Sequence, residues 1–414
     1  IVRLVGSEMC IRDSFKSIEI DLLPVLIDMQ FNGIFIDKEY LENRSNEIGK
    51  KIESLELEII NLAGEEFNLN SSQQLAVILF DKLKLPMIKK RSTAEAVLSE
   101  LKDKHPLPEL ILSYRKLYKL KNTYLDPLPS YIVADTKRVH SSFNQTMTAT
   151  GRLSTSSPNF QNIPIRTEDG KEIRKAIKAQ SNEYQIFSAD YSQVELRVMA
   201  HLSGDESLIS ALNNGEDIHT FTAKNIFNVD NDDMVLPEMR RIAKIVNFGI
   251  MYGAGPFRLS QELDIPFGEA KQIKDAYFQK YRGIEQYIEN SKLQIKETKS
   301  VETLLGRKRA VWDSDSQNKI RRDAAERMAI NMPIQGTAAE MIKLAMIKIH
   351  RQINKENLKS KLIMQIHDEL LLEVHQDEID YISKMVTEHM RDAMKLDVPI
   401  EIDFGVGPSW YEAH

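Results

Sequence analysis

The chain has 414 residues, of which 42% are hydrophobic and 28% charged, and its net charge is −6 at neutral pH. This length and composition are typical of a soluble globular protein of two or three domains, or of one large lobed unit, and exclude a fibrous or largely disordered chain. No segment approaches the roughly 18 apolar residues of a membrane span, and the single cysteine, Cys10, excludes an internal disulfide and fits a reducing compartment.

Positive charge is concentrated in two segments of this acidic chain. Residues 82–121 contain eleven Lys or Arg and four acidic residues, and residues 292–322 contain nine and four. Such segments bind nucleic acid by neutralising phosphates, although solvated helix faces carry similar charge. Charge therefore permits a nucleic-acid partner without establishing one.

The first third of the chain is predicted to be helical. Residues 1–14 lack an initiator Met and show no clean periodicity, so we interpret them as a fragment end, native or vector-derived, and exclude them from fold reasoning. Apolar spacing predicts helices from residue 18 onward, interrupted at 31–37, where Asn-Gly before alternating apolar residues predicts a small hairpin. Residues 15–135 are therefore predicted to form one helical, basic module.

Beyond residue 135 the pattern alternates between strands and helices. Strands are predicted at residues 138–153, 184–190, 362–367, 369–374 and 400–406. Helices are predicted at 191–230, at 238–252 after Pro237, in further segments up to 299, and at 335–350. Strands in the middle and at the end of the chain, with helices between them, indicate an α+β fold whose sheet joins distant segments.

The segment SADYSQVELR (188–197) places an acidic residue between a strand and a helix. Asp190 comes at the end of the predicted strand, and Glu195 lies one turn into an amphipathic helix. A carboxylate at this position can hold a divalent cation with open coordination positions. Taken alone, Asp190 is more simply a helix cap and Glu195 a solvated residue.

The segment QIHDELLLEV (365–374) places His, Asp and Glu between two apolar strands, as at a hairpin tip. In isolation this is a polar turn. Together with Asp190, however, a carboxylate at this tip would come from a second strand end of the same sheet. Two such carboxylates can hold two Mg²⁺ ions, the arrangement that supports phosphoryl transfer.

The segment RRIAKIVNFGIMYG (240–253) carries two cations and two aromatic residues at four-residue intervals: Arg240, Lys244, Phe248 and Tyr252. This spacing places them along one stripe of a helix. An aromatic stripe is normally part of a core, but here cations share it and glycines follow it. The stripe therefore favours a ligand that has a phosphate tail and a flat base.

Two further segments, 148–164 and 327–343, carry amide and guanidinium side chains. Arg327, Asn331 and Gln335 again have four-residue spacing, and Arg152 lies in the first segment. Such groups can donate hydrogen bonds to the groove edges of a duplex. Each of them alone would be an ordinary surface or capping residue.

DYSQVELR, RRIAKIVNFGIMYG and QIHDEL resemble, in the same order, motifs A, B and C of family A DNA polymerases, specifically the polymerase region of the bacterial DNA polymerase I family. The similarity runs from about residue 18 to residue 414 and includes the ending GPSWYEAH. It implies an α+β right-hand fold with a helical thumb, an antiparallel-sheet palm and mainly helical fingers. The implied limits are 15–135 for the thumb, 136–205 and 315–414 for the palm, and 206–314 for the fingers.

The resemblance also implies an activity: template-directed addition of dNTPs to a primer 3′-hydroxyl by two-metal phosphoryl transfer, with release of pyrophosphate. It implies two Mg²⁺ ions held by Asp190, Asp368 and the backbone carbonyl of Tyr191. Glu369 would be an accessory catalytic carboxylate, and Lys244 would be the general acid for pyrophosphate.

The remaining roles that the resemblance implies concern the substrates. The dNTP-binding residues would be Arg240, Lys244, Phe248, Tyr252, Glu195, Gln193 and His219. The residues that contact primer–template DNA would be Arg152, Arg327, Asn331, Gln335 and His367. Tyr252 and Glu195 would exclude a 2′-hydroxyl, and Phe248 would pack against the incoming sugar.

The resemblance implies a monomer in the bacterial cytoplasm, associated with the nucleoid and with no membrane partner, that acts in DNA replication and repair. It also implies a Klenow-like fragment without an exonuclease domain. Three alternatives remain open at this point: a single-subunit RNA polymerase, a catalytically inactive nucleic-acid-binding subunit and a two-metal nuclease. Incorporation of rNTPs, duplex binding without extension and dNTP-independent degradation would identify them respectively.

Overall fold

The computed structural model describes residues 18–163 and 168–414. The segment 1–14, including Cys10, lies outside the described residues. The helices before the main sheet are α1 (Ile20–Asn32), α2 (Lys38–Ala63), α3 (Ser72–Ala76), α4 (Glu95–Glu100), α5 (Pro106–Leu120) and α6 (Glu168–Ala176). Those that follow are α7 (Val194–Ser203), α8 (Glu206–Asn213), α9 (Ile218–Phe227), α10 (Pro237–Met251), α11 (Pro256–Leu263), α12 (Phe267–Lys280), α13 (Arg282–Thr298), α14 (Lys319–Lys355), α15 (Ile379–Arg391) and α16 (Trp410–Ala413).

The main sheet consists of four antiparallel strands from distant parts of the chain. These strands are β5 (Tyr184–Tyr191), β8 (Lys361–Ile366), β9 (Glu369–His375) and β10 (Ile402–Gly407), in the order β10-β5-β9-β8. The short strands are β1 (Ile34–Phe35), β2 (Arg138–Val139), β3 (Ser142–Asn144), β4 (Ser154–Ser156), β6 (Ser300–Glu302) and β7 (Lys308–Ala310). The α+β prediction with a sheet of distant segments is thus confirmed.

Apolar residues cover both faces of the main sheet. Phe187 and Leu370 belong to a core shared with α7, α10 and α14, whereas Ile186 and Leu371 belong to a second core shared with α2 and α5. Successive residues of a strand point to opposite faces, so a strand buried on both sides needs an uninterrupted apolar run. This explains the sequence ELLLEV and holds the strand ends rigidly between two cores.

Capping and proline chemistry explain several of the helix limits. Asp37 accepts a hydrogen bond from the Tyr40 N–H at the start of α2, and Gly64, with φ of +74°, ends that helix. Pro237 occupies the first turn of α10, where a missing N–H costs no hydrogen bond. Among the described residues, no helix is both long enough and apolar enough to cross a membrane.

The structure corrects two predictions about secondary structure and extends a third. The segment 31–37 does not form a hairpin: α1 ends at Asn32, and β1 pairs with the distant β2, Ile34 lying opposite Val139. The strand predicted over 138–153 is reduced to β2 and β3, separated from β4 by a loop. The helix predicted at 335–350 is longer, because α14 continues through Pro333 over 37 residues.

Candidate active site

The main sheet brings two acidic residues to one of its ends. Asp190 is paired between Asp403 of β10 and Glu369 of β9. Asp368 lies in the two-residue turn between β8 and β9, and its carbonyl accepts a 3.2 Å hydrogen bond from the Tyr191 N–H. The register of the sheet therefore determines that Asp190 and Asp368 lie at neighbouring strand ends.

The turn that carries Asp368 is held by two glutamines that the sequence analysis missed. Gln161 donates to the Gln365 carbonyl at 2.9 Å and accepts from the His367 N–H at 3.0 Å. Gln365 in turn donates to the His367 carbonyl at 2.5 Å. Because His367 has φ of +52°, its backbone needs such support. The available signal was a lone polar residue, Gln365, in an apolar strand.

The electrostatics of the pair suit a divalent cation. Burial, followed by repulsion from Glu369 and Asp368, raises the pKa of Asp190 to about 7. Burial also raises the pKa of Asp368, although the guanidinium of Arg152, 3.8 Å from its carboxylate, opposes this. Crowded carboxylate oxygens with little compensating charge are hard donors of the kind that Mg²⁺ binds. The residues present therefore fit a magnesium site.

Glu369 differs from the other two carboxylates because it is held inside the fold. Its Oε1 accepts hydrogen bonds from the Ser188 hydroxyl at 2.5 Å and from the Trp410 indole at 2.6 Å. Across the described residues, no group of three or more His, Cys, Asp and Glu side chains is placed to hold one metal ion. The candidate cation-binding residues at this end of the sheet are Asp190 and Asp368.

Replacing Asp190 with Asn is expected to raise the thermal midpoint of the cation-free protein, and more so at pH 8 than at pH 5. The folded protein keeps on Asp190, with its pKa of about 7, a proton that the unfolded chain releases near its ordinary value of 3.8. Stability is therefore lost as pH rises through this window, and Asn escapes that loss. Thermal denaturation in EDTA at pH 5 and pH 8 measures the change in thermal midpoint, and Asp403→Asn, at an exposed position, is the control. An equal gain at both pH values would contradict the raised pKa of Asp190.

A chain of contacts links these carboxylates to α10. The Arg152 guanidinium donates to Glu195 Oε1 at 2.6 Å, and the Tyr252 hydroxyl donates to the other oxygen of the same carboxylate. Glu195 is only 6% exposed, and burial raises its pKa despite these two partners. The interpretation of Glu195 as a solvated helix residue is therefore wrong. Glu195 is instead a buried residue whose carboxylate connects Arg152, beside the sheet end, to Tyr252 at the end of α10.

The start of α7 also departs from the simplest interpretation. The N-cap position is occupied by Gln193, not Asp190, and its φ of +52° is unusual for a residue with a side chain. The plain role of Asp190 as a helix cap is therefore wrong. The left-handed residue turns the chain sharply between Tyr191 and Val194, which brings Glu195 under the end of the sheet.

The predicted stripe lies along α10. Arg240 and Lys244 are exposed, and the half-buried rings of Phe248 and Tyr252 are roughly parallel, with centroids 6.4 Å apart. Tyr252 follows directly after the last residue of the helix. The structure therefore presents two cations and two rings in order along one helix, with the ring end nearest to Glu195.

Arg240 has a partner that the sequence analysis missed. Its guanidinium donates to both carboxylate oxygens of Asp217, at 3.1 and 2.7 Å. Asp217 also caps α9 by accepting from the Thr220 N–H. Partial burial alone would raise the pKa of Asp217, but these hydrogen bonds lower it to about 2. A phosphate that binds Arg240 therefore has to compete with this carboxylate.

His219 is buried beside the stripe. Its ring centroid lies 5.7 Å from that of Phe248, and the residue is 3% exposed. Burial lowers the pKa of His219 to about 4, with further lowering from Lys244 and Arg240 against the opposing effect of Asp217. The imidazole is therefore neutral at physiological pH and acts as a hydrogen-bonding group rather than as a cation.

Arg327, Asn331 and Gln335 lie half-buried along α14, as their spacing predicts. The Oδ1 atom of Asn331 is buried and has no hydrogen-bond partner within the described ranges. Gly336 permits close packing on α14, because a Cβ atom there would lie 2.5 Å from Thr303 Cγ2 and 3.2 Å from the carbonyl of Thr150, in the loop that leads to Arg152. Two of the other predicted duplex contacts, Arg152 and His367, lie beside Asp368 at the carboxylate end of the sheet.

Comparisons with known proteins agree with this architecture. The sequence model of DNA polymerase family A matches residues 38–412. The chain is 45% identical over 403 residues to DNA polymerase I of Bacillus subtilis, covering 96% of this chain and 46% of that protein. It is 48% identical over 405 residues to the thermostable DNA polymerase I of Thermus filiformis, covering 96% and 48%. The chain thus spans about half the length of these curated relatives.

A solved structure is similar over nearly the whole chain. It is the POL domain of Pol1 from M. smegmatis, in complex with DNA primer-template and dNTP. The TM-score is 0.92 at 40% identity, and the match covers 97% of this chain and 71% of that one. The α+β fold is therefore the right-hand polymerase fold, with helical thumb, antiparallel-sheet palm and mainly helical fingers, and the chain belongs to DNA polymerase family A.

Proposed function

We propose that this chain is a template-directed DNA polymerase that adds dNTPs to a primer 3′-hydroxyl. The observation that carries the proposal is a series of side-chain contacts that runs from Asp368 through Arg152 and Glu195 to Tyr252. These contacts join the carboxylate pair to the stripe of two cationic and two aromatic side chains on α10. The similar M. smegmatis domain, which binds primer-template and dNTP, supports the same substrates here.

The reaction is a phosphoryl transfer. The primer 3′-hydroxyl gives its proton to water, and its oxygen bonds to the α-phosphorus of the dNTP. The bond from that phosphorus to the bridging oxygen of the β-phosphate breaks, and pyrophosphate leaves. Two Mg²⁺ ions would be held by Asp190, Asp368 and the carbonyl of Tyr191, with Glu369 as an accessory carboxylate. When bound, these ions acidify the 3′-hydroxyl and neutralise charge on the triphosphate.

The triphosphate binds along the cationic part of α10. Arg240 and Lys244 are exposed and can pair with phosphate oxygens, and Arg240 exchanges Asp217 for the ligand. The neutral ring of His219 donates one further hydrogen bond. Lys244 gives a proton to the departing pyrophosphate, which lowers the barrier for bond cleavage.

The sugar and base bind against the two rings of the stripe. Phe248 packs against the sugar, and Tyr252 with Glu195 fills the space that a 2′-hydroxyl requires. Gln193 also contacts the nucleotide from the start of α7. Because Arg152 and Tyr252 both bind Glu195, its carboxylate is fixed and acts as a rigid barrier rather than a mobile side chain.

Replacing Glu195 with Ala is expected to lower the preference for dNTPs over rNTPs by about 10- to 200-fold, the range for one added group in a tight pocket. The Ala variant opens the space that the carboxylate fills. Glu195→Gln is the matched control, since it keeps the volume and a hydrogen-bond acceptor for Tyr252 and should retain most of the selectivity. Separate kcat/KM values for dNTP and rNTP measure the ratio; an unchanged ratio in the Ala variant would contradict the role.

The duplex binds along α14 and the turn of β8 and β9. We assign contacts with the minor-groove edge, where correct pairs share acceptors, to Arg152, Arg327, Asn331, Gln335 and His367. The thumb is assigned to residues 15–135, the palm to 136–205 and 315–414, and the fingers to 206–314. The protein would act as a monomer in the bacterial cytoplasm, near the nucleoid, in replication and repair.

Extension of a labelled primer on a recessed template, with Mg²⁺ and either all four dNTPs or one dNTP at a time, tests the proposal. Growth of the primer only when the complementary dNTP is present supports it. Preferred use of rNTPs would instead identify an RNA polymerase, and shortening of the DNA without dNTPs a nuclease. Tight duplex binding without extension would identify a binding module.

A further inference from the structure

Four buried side chains form one hydrogen-bonded chain that ends at His219. The Tyr281 hydroxyl lies 2.8 Å from the Thr222 hydroxyl, which donates to Asn247 Oδ1 at 3.2 Å. The Asn247 amide nitrogen lies 3.1 Å from His219 Nδ1. All four residues are at most 3% exposed. These four hydrogen-bonded side chains join α9 and α10 to the residue between α12 and α13.

The donors and acceptors of this chain run in one direction. Asn247 Oδ1 can only accept, so Thr222 gives it its single hydrogen, and Tyr281 must then donate to Thr222. In this orientation of the amide, the Asn247 nitrogen donates and His219 Nδ1 is the unprotonated acceptor. A neutral imidazole whose Nδ1 is unprotonated carries its hydrogen on Nε2.

The Nε2 atom of His219 can donate a hydrogen bond to a ligand. The described ranges supply no hydrogen-bond partner for it, and it is not among their fully buried unpaired atoms. The His219 ring lies against Phe248, in the stripe that also presents Lys244 and Arg240. A hydrogen on Nε2 makes this ring a donor to an anion, whereas the other tautomer would turn a lone pair toward it.

We propose that Asn247, Thr222 and Tyr281 are positioning residues that set the tautomer of His219, so that Nε2 donates to the triphosphate of the incoming nucleotide. This inference rests on the proposed function. It adds three residues that touch neither substrate nor cation and act only through the imidazole. A purely structural role, in which the chain fastens α9 to α10, is the alternative to be separated.

The first experiment reads the tautomer directly. A two-dimensional ¹H–¹⁵N spectrum of the histidine side chains shows which ring nitrogen is protonated, with His219 assigned from the spectrum of His219→Gln. The proposal expects hydrogen on Nε2 in the wild type and a mixture of tautomers in Thr222→Val and Tyr281→Phe. Hydrogen on Nδ1 in the wild type, or an unaltered tautomer in both variants, would overturn it.

The second experiment measures nucleotide binding in single-turnover primer extension. Thr222→Val and Tyr281→Phe are expected to raise the apparent dNTP dissociation constant by about 2- to 10-fold, the range for one hydrogen bond, with the maximal rate little changed. Tyr277→Phe is the matched control, because it removes a hydroxyl from the neighbouring ring, 4.7 Å away, outside the chain of four.

A double-mutant cycle separates positioning from general stability. If the three positioning residues act through the imidazole, adding Thr222→Val to the His219→Ala variant has no further effect on dNTP binding. The same increase in both backgrounds would overturn the proposal. A wild type that does not extend primers would overturn the proposed function, which the histidine spectrum of the same sample does not depend on, so the two failures are distinguishable.

Discussion

Asp190→Asn is expected to reduce primer extension by about 10³-fold or more while leaving duplex affinity within about twofold. Loss of one carboxylate from the pair removes several kcal/mol of transition-state stabilisation, and each 1.4 kcal/mol is about tenfold in rate. Asn keeps the shape of the side chain at the sheet end, so the fold is retained. Single-turnover extension and duplex titration on the same sample measure the two quantities.

Asp403 provides the matched control for this experiment. It lies opposite Asp190 in the adjacent strand but is exposed, so Asp403→Asn removes a nearby negative charge without removing a ligand. Its effect on the extension rate is expected to stay within about twofold, as for most surface substitutions. Equal loss of activity in both variants would show that net charge, rather than the carboxylate of Asp190, is what matters.

Lys244→Met is expected to lower the maximal extension rate by about 10²- to 10⁴-fold, the usual contribution of a general acid. Met keeps the unbranched shape of the aliphatic stem but has no amine to give a proton to pyrophosphate. The rate of the variant should depend more steeply on the basicity of the leaving group. A series of dNTP analogues with different β,γ-bridging groups measures this dependence.

Arg241 is the control on the same helix. It neighbours the stripe in sequence but pairs with Glu238 on the exposed surface. Arg241→Met should therefore leave the rate and its leaving-group dependence close to those of the wild type. If Lys244→Met weakens dNTP binding but keeps the wild-type dependence on the leaving group, Lys244 binds phosphate and does not act as an acid.

Local patterns predicted the elements that carry the candidate site. The strand ending near Asp190, the helix entered at Pro237 and the turn at Asp368 all lie where alternation, proline and apolar runs indicate. The four-residue spacing also correctly predicted that Arg240 and Phe248 lie on the same face of a helix. These features depend on contacts within a few residues, which a single sequence records directly.

The wrong predictions involve contacts between distant residues. Asn32-Gly33 has the composition of a hairpin turn, but Gly33, with φ of +62°, ends α1 instead, and the strand after it pairs with β2. Pro333 normally interrupts a helix, yet α14 continues because both sides of it are buried. Glu195 has a helix-surface pattern, but Arg152, 43 residues earlier, provides the charge that permits burial.

The supporting residues could not be predicted for the same reason. Gln161 and Gln365 hold the Asp368 turn across 204 residues of sequence, and Thr222 reaches Tyr281 across 59. Each is an ordinary polar residue in its own segment. Only the folded arrangement shows that its partner is the Asp368 turn or another buried side chain.

The strand order of the main sheet affects the protein while it is being synthesised. β5 is made first but lies between β9 and β10, and the hydrogen bond between Ser188 and Glu369 spans 181 residues. At about 5–20 residues per second, the ribosome needs about 10–40 s to supply the first partner strand. During that time Phe187 and the unpaired edges of β5 are open to aggregation, so the nascent chain should be a substrate for chaperones that shield apolar strands.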